Sequence, residues 1–135
     1  MKSLNLLNLL IECGSTLHST NGEIKSPNYP DPYRRESDCV WIGELPSEGM
    51  VSVTITEFDI PKSVNCSTDK LIIQNGKHPD SPIVATLCGN ITDLDHRTFV
   101  LSGSHFRVHF TSSQRNVDAS RRKFKMMYTT TQSGQ

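Results

Sequence analysis

Between Gly22 and Tyr33 the chain reads Gly-Glu-Ile-Lys-Ser-Pro-Asn-Tyr-Pro-Asp-Pro-Tyr, with prolines at positions 27, 30 and 32. Each proline holds φ near about −65° and removes a backbone donor. Each also restricts the residue before it. A helix does not survive that spacing, so the segment is extended chain and turn. Ile24, Tyr29 and Tyr33 are the side chains able to pack it down, and Asn28 suits a turn. Two aromatics among the prolines, with Cys39-Val40-Trp41 close behind, mark a segment laid onto a β domain as a lid or edge rather than a solvated linker.

The rest of the chain carries strand signals. Cys39 to Ile42 is a short apolar strand. Cys39 and Trp41 share one face by the two-residue period, which puts the indole in the core beside Cys39. Val51, Val53 and Ile55 alternate with Ser52, Thr54 and Thr56, and Phe58 and Ile60 carry apolar character onward. Leu71 to Ile73 ends at the Asn75-Gly76 turn signal. Ile83 to Cys88 is a further strand ended by Gly89-Asn90, and Thr98 to Leu101 one stopped by Gly103. Phe106, Val108 and Phe110 face one way, with His105, Arg107 and His109 opposite. Phe124, Met126 and Tyr128 form the last alternation. Short strands with frequent turn signals and no amphipathic helix predict an all-β, two-sheet antiparallel sandwich.

At 135 residues this is one domain of ordinary size. Cys13, Cys39, Cys66 and Cys88 are far apart, with no C-x-x-C, so zinc knuckles and thioredoxin-like chemistry find no support. Four cysteines allow three disulfide pairings, and disulfides point to an oxidising compartment. The acceptor sequons at Asn65 and Asn90 agree with a secreted protein. Residues 1–12 hold an apolar run from Leu4 to Ile11 that reads as a short or truncated signal, or as a leading segment of the mature chain. The run is too short to span a bilayer.

Formal net charge is zero. Residues 1–100 carry 8 basic and 13 acidic side chains, and residues 101–135 carry 6 and 1. That asymmetry can guide a partner but does not make a nucleic-acid footprint. The basic run Arg121, Arg122 and Lys123, with Lys125, is the candidate for binding an anionic glycan or acidic protein. His105 and His109 lie about 13 Å apart along a strand, with Arg107 between them, so they do not share a metal. No nucleophile, base and orienter stand at a recognisable spacing. Glu57, Asp59 and Asp69 near Cys66 are the acids that could serve a cation or an unrecognised hydrolase.

Taken in order, Cys13, the Gly22-x-Ile24-x-Ser26-Pro27-Asn28-Tyr29-Pro30-x-x-Tyr33 stretch, Cys39-x-Trp41, Cys66-x-x-Asp69, Leu71-x-Ile73, Cys88-Gly89, Phe110-x-Ser112 and Phe124-x-x-x-Tyr128 resemble a CUB domain. This is the extracellular module of complement and tolloid-type proteases, spermadhesins, cubilin and neuropilins. The resemblance covers Cys13 to Tyr128, leaving 129–135 as a flexible tail. It implies a jelly-roll-like sandwich with disulfides 13–39 and 66–88. Many members bind calcium and grip a partner's lysine or arginine through it. In that pattern Tyr33 and Asp69 match, but Pro61 and Ser113 stand where acids are usual, and a loop shift would let Asp59 substitute in part. The expectation is no metal, with Tyr33, Asp59 and Asp69 as the residual calcium candidates. Lys123 also stands where glycine usually precedes the phenylalanine.

These readings converge on a secreted, non-enzymatic module that binds an extracellular protein or glycan independently of calcium. The competing expectations are an assembly module of a larger mosaic protein or protease, and calcium-dependent binding through a degenerate site. No cofactor, nucleic acid or membrane span is expected, and oligomeric state stays open.

Overall fold

The computed structural model describes residues 13–46, 49–113 and 122–131. Residues 1–12, Arg121 and the end of the expected tail lie outside them. Among the described residues ten strands form two sheets. In chain order they are β1 (Gly14–Leu17), β2 (Asn21–Lys25), β3 (Asp38–Glu44), β4 (Met50–Ile60), β5 (Lys70–Gln74), β6 (Ile83–Leu87), β7 (Gly89–Asn90), β8 (Thr98–Ser102), β9 (His105–Thr111) and β10 (Lys123–Thr131). One sheet runs β1-β3-β9-β5-β6. The other runs β2-β10-β4, with β7 and β8 sharing the far flank of β4.

The sandwich is antiparallel except at one pair. β1 runs parallel to β3, with Gly14 opposite Val40. The disulfides pair Cys13 with Cys39 and Cys66 with Cys88. The first joins residues immediately before Gly14 and Val40, so both strands leave it in the same direction. The 26-residue separation leaves room for the crossover that parallel pairing requires, and β2 lies on that crossover in the opposite sheet. Gly14 has φ +89°, and a Cβ there would fall 2.2 Å from the Val40 carbonyl oxygen, so only glycine enters this pairing without strain. Closing loops of this length contributes about 3.5 kcal/mol per disulfide in the chain-entropy account.

The long strand β4 shows why Phe58 and Ile60 are core residues. Val51, Val53 and Ile55 are buried, and then the phase slips, so that Phe58 and Ile60 are buried. Opposite them, Lys125 pairs with Glu57 while Met126 pairs with Ile55, leaving Thr56 as the extra residue of a bulge. Its hydroxyl donates to the Lys125 carbonyl at 3.2 Å. Gly89-Asn90 does more than end β6. It crosses to the second sheet and pairs with Ile60 and Asp59. β10 stays paired with β4 through Thr131, three residues past the boundary expected at Tyr128.

The core lies between β9 and β10. Phe106, Val108 and Phe110 face Phe124, Met126 and Tyr128, all fully or nearly fully buried. A row of edge-on aromatic contacts links the sheets: Tyr33 to Phe110 at 4.7 Å, Phe110 to Phe124 at 4.9 Å, and Phe124 to Trp41 at 6.1 Å. Trp41 is therefore a core residue.

Candidate functional site

The proline stretch is held along β10 by its backbone and by one serine. Ser26 donates its N–H to the Phe124 carbonyl at 3.0 Å, and the Phe124 N–H donates to Ser26 Oγ at 3.0 Å. The Asn28 amide donates to the Pro32 carbonyl, and the Tyr29–Pro30 peptide is cis. The Tyr33 N–H donates to the Arg122 carbonyl at 2.9 Å. Tyr33 thereby enters the core at one end of the sandwich.

There its hydroxyl donates to Asp69 Oδ2 at 2.6 Å, and the Ser113 N–H donates to Asp69 Oδ1 at 3.0 Å. Asp69 is 1% exposed. Ser112 fixes Ser113 from the neighbouring position, because Ser112 Oγ accepts from the Ser37 N–H at 2.7 Å and donates to the Arg34 carbonyl at 2.9 Å. Arg122 closes the other side. It is 3% exposed, its guanidinium stacks 4.9 Å over the Tyr33 ring, and Nη2 donates to the Tyr33 carbonyl at 3.3 Å. The corner is thus an ordered set of Tyr33, Asp69, Ser113 and Arg122 from four separate parts of the chain.

Burial, and then the bond to Asp69, push the Tyr33 hydroxyl far above the ordinary tyrosine range. The bond to Glu57 raises Tyr29, and burial raises Tyr128. An acid whose proton is held more tightly in the fold stabilises the fold fully below its unfolded pKa, and that stability is lost as pH rises through the folded pKa. Unfolding free energy should therefore hold up to about pH 10 and fall steeply above it. Denaturant titrations across that range check this, and Tyr33→Phe should make the alkaline fall shallower.

The acidic trio does not assemble as a set of three. Glu57 stands apart, accepting from the Tyr29 hydroxyl and lying 3.7 Å from Lys123 Nζ, whereas Asp69 is inside the corner and Asp59, paired across strands with Lys123 and Asn90, is near enough for its charge to act on Tyr33 as well. His109 binds Asp38 at 2.7 Å and His105 contacts Ser104, each in a separate setting. Among the described residues no three His, Cys, Asp or Glu side chains are placed to hold a metal.

The basic run also divides. Arg122 points inward with Phe124, while Lys123 and Lys125 point outward. The two lysines meet a third, Lys25, around Tyr29, with ammonium groups 5.8–6.0 Å from the ring centre. Lys25 and Tyr29 were not visible as partners because Lys25 meets Lys125 only through the β2–β10 register, a hundred residues apart. The inward turn of Arg122 was legible, since it shares the two-residue phase of Phe124. Asn65 lies in a 3-10 turn (Val64–Cys66) at φ +55° and is exposed. Asn90 is partly exposed, and its Oδ1 accepts from the Thr92 N–H at 2.9 Å.

A family model described as CUB domain matches residues 13–128. Tolloid-like protein 1 of Homo sapiens is 36% identical over 77 residues, which are 57% of this chain and 8% of that protein. Cubilin of Canis lupus familiaris is 34% identical over 106 residues, 78% of this chain and 3% of that protein. Among solved structures, the CUB1-EGF-CUB2 domains of rat MASP-1 align with TM-score 0.73 and 26% identity, covering 87% of this chain and 42% of that one. The MASP-1 CUB2 domain bound to Ca2+ aligns with TM-score 0.72 and 25% identity, covering 87% and 99%.

Proposed function

Because the chain belongs to the CUB domain family, whose members here come from extracellular proteins, we propose that it is a secreted, non-catalytic module that binds an extracellular protein or glycan without calcium. The observation that carries the calcium-free reading is the closed state of Asp69. Both its carboxylate oxygens already accept from protein donors, and the group is buried. Calcium takes six to eight oxygens, usually from several carboxylates. Pro61 supplies no side-chain oxygen, Ser113 supplies a neutral one, and the Arg122 guanidinium on Tyr33 adds positive charge to the same corner. With Asp59 as the only further acid whose charge reaches Tyr33, among the described residues, this donor set favours the calcium-free reading.

The test is a binding screen of the oxidised domain against extracellular proteins and sulfated glycans, once with about 2 mM calcium and once with EDTA. The expected result is a ligand of micromolar affinity or better, held equally in both conditions. No ligand, or a ligand lost in EDTA, overturns the proposal. A second reading, an assembly module within a mosaic protein, is favoured by the small share of its relatives that the chain spans. The full-length precursor sequence tests it. Further domains in the same reading frame support that reading.

A further inference from the structure

Sandwich sheets have open edges, and proteins usually guard them with charge, brevity or a covering element. β2 carries Glu23 and Lys25, and β1 is four residues long and tied by a disulfide. β6 is also short and runs into the Cys66–Cys88 disulfide, but it carries no charged side chain. It is the last strand of its sheet, pairs only with β5, and reads Ile-Val-Ala-Thr-Leu. Ile83 and Val84 are 61% and 40% exposed. The nearest edge of the opposite sheet, β8, is equally uncharged and exposes Val100.

A groove of about 310 Å³ lies between these two edges. Val84 to Leu87 form one wall, and Leu94, Phe99 and the Cys66–Cys88 disulfide add apolar surface. Its titratable lining is two acids, Asp93 and Asp95, with His96 beside them. Asp93 is already engaged, by the Asn90 N–H at 3.0 Å and by Lys62 at 3.6 Å. Asp95 is exposed and makes no ion pair among the described residues.

We propose that the free edge of β6 takes up an extended segment of a partner protein as an added strand, with one lysine or arginine of that segment directed at Asp95. This rests on the domain being a protein-binding module and names the kind of protein it takes. Alternate peptide groups of β6 face away from β5, so an incoming strand finds about two or three ready main-chain partners. The groove, lined by polar and apolar surface in nearly equal measure, accepts a side chain from the same strand, and Asp95 selects a basic neighbour. The geometry favours polypeptide over glycan, because a sugar chain cannot continue a β-ladder.

The probe is a phage-displayed library of random dodecapeptides selected on the folded, oxidised domain. Selected peptides should alternate apolar residues around one basic residue. Their binding should slow amide exchange at residues 83–87. N-methylation of the peptide at one alternating set of amides should weaken binding at least tenfold, while the other set has little effect. Asp95→Lys and Val84→Lys, both surface changes, should each weaken it at least tenfold with the near-UV spectrum unchanged.

The proposal is overturned if no peptide is selected, if exchange at residues 83–87 is unaltered, or if both methylation patterns are tolerated. It is also overturned if β6 proves to pair with a second copy, seen as a dimer in sedimentation that Val84→Lys dissolves. If the extracellular ligands of the broader screen bind while β6 stays unprotected, only this inference falls. If that screen yields no ligand, the underlying reading falls as well.

Discussion

Replacing Asp69 with alanine should lower the unfolding free energy by about 2–5 kcal/mol, measured by denaturant titration at neutral pH. The loss comes from what the carboxylate leaves behind. Its removal strands the buried Tyr33 hydroxyl and the Ser113 N–H. An unsatisfied buried donor costs about 1–3 kcal/mol. Asp69→Asn keeps the shape and one acceptor, so it should cost less. A cycle with Tyr33→Phe should show coupling of about 0.5–3 kcal/mol, because the two residues share a bond. Independent effects that simply add would mean that the corner is not organised as described.

Phe110→Ala should cost about 3–5 kcal/mol by the same measurement. Phe110 is fully buried and its ring touches both Tyr33 and Phe124 across the sandwich. The truncation loses transfer free energy, opens a cavity, and removes the packing that holds the Tyr33 ring in place. Leucine refills most of the volume and should recover more than half of the loss. The two substitutions separate packing from polar organisation. Both should flatten the alkaline response of Tyr33, but only the Asp69 change should do so without a cavity at the sheet interface.

Much of this architecture was legible because strand physics is local. The alternations at 51–55, 106–110 and 124–128 each marked a half-buried strand, and each buries the expected face. The slip between Ile55 and Phe58 also stands in the sequence as a broken period, and the Thr56 bulge is its physical form. β1 and β7 were harder. Gly-Ser-Thr-Leu and Gly-Asn carry no alternation, and their pairing is set by the disulfide and by the passage between sheets. The site was least legible where it depends on long-range register. No local signal joins Lys25 to Lys125, and none says that Asp69 is 1% exposed while Asp59 is half-buried.

Hydrogen bonds around Asp69 organise the corner from which Tyr33 enters the core, and no metal is needed there. The melting temperature of the oxidised domain in EDTA, and again in about 2 mM calcium, tests it most directly, since any ligand that binds the native state raises stability. The two transitions should coincide. A clear rise with calcium that disappears in Asp69→Asn would contradict it.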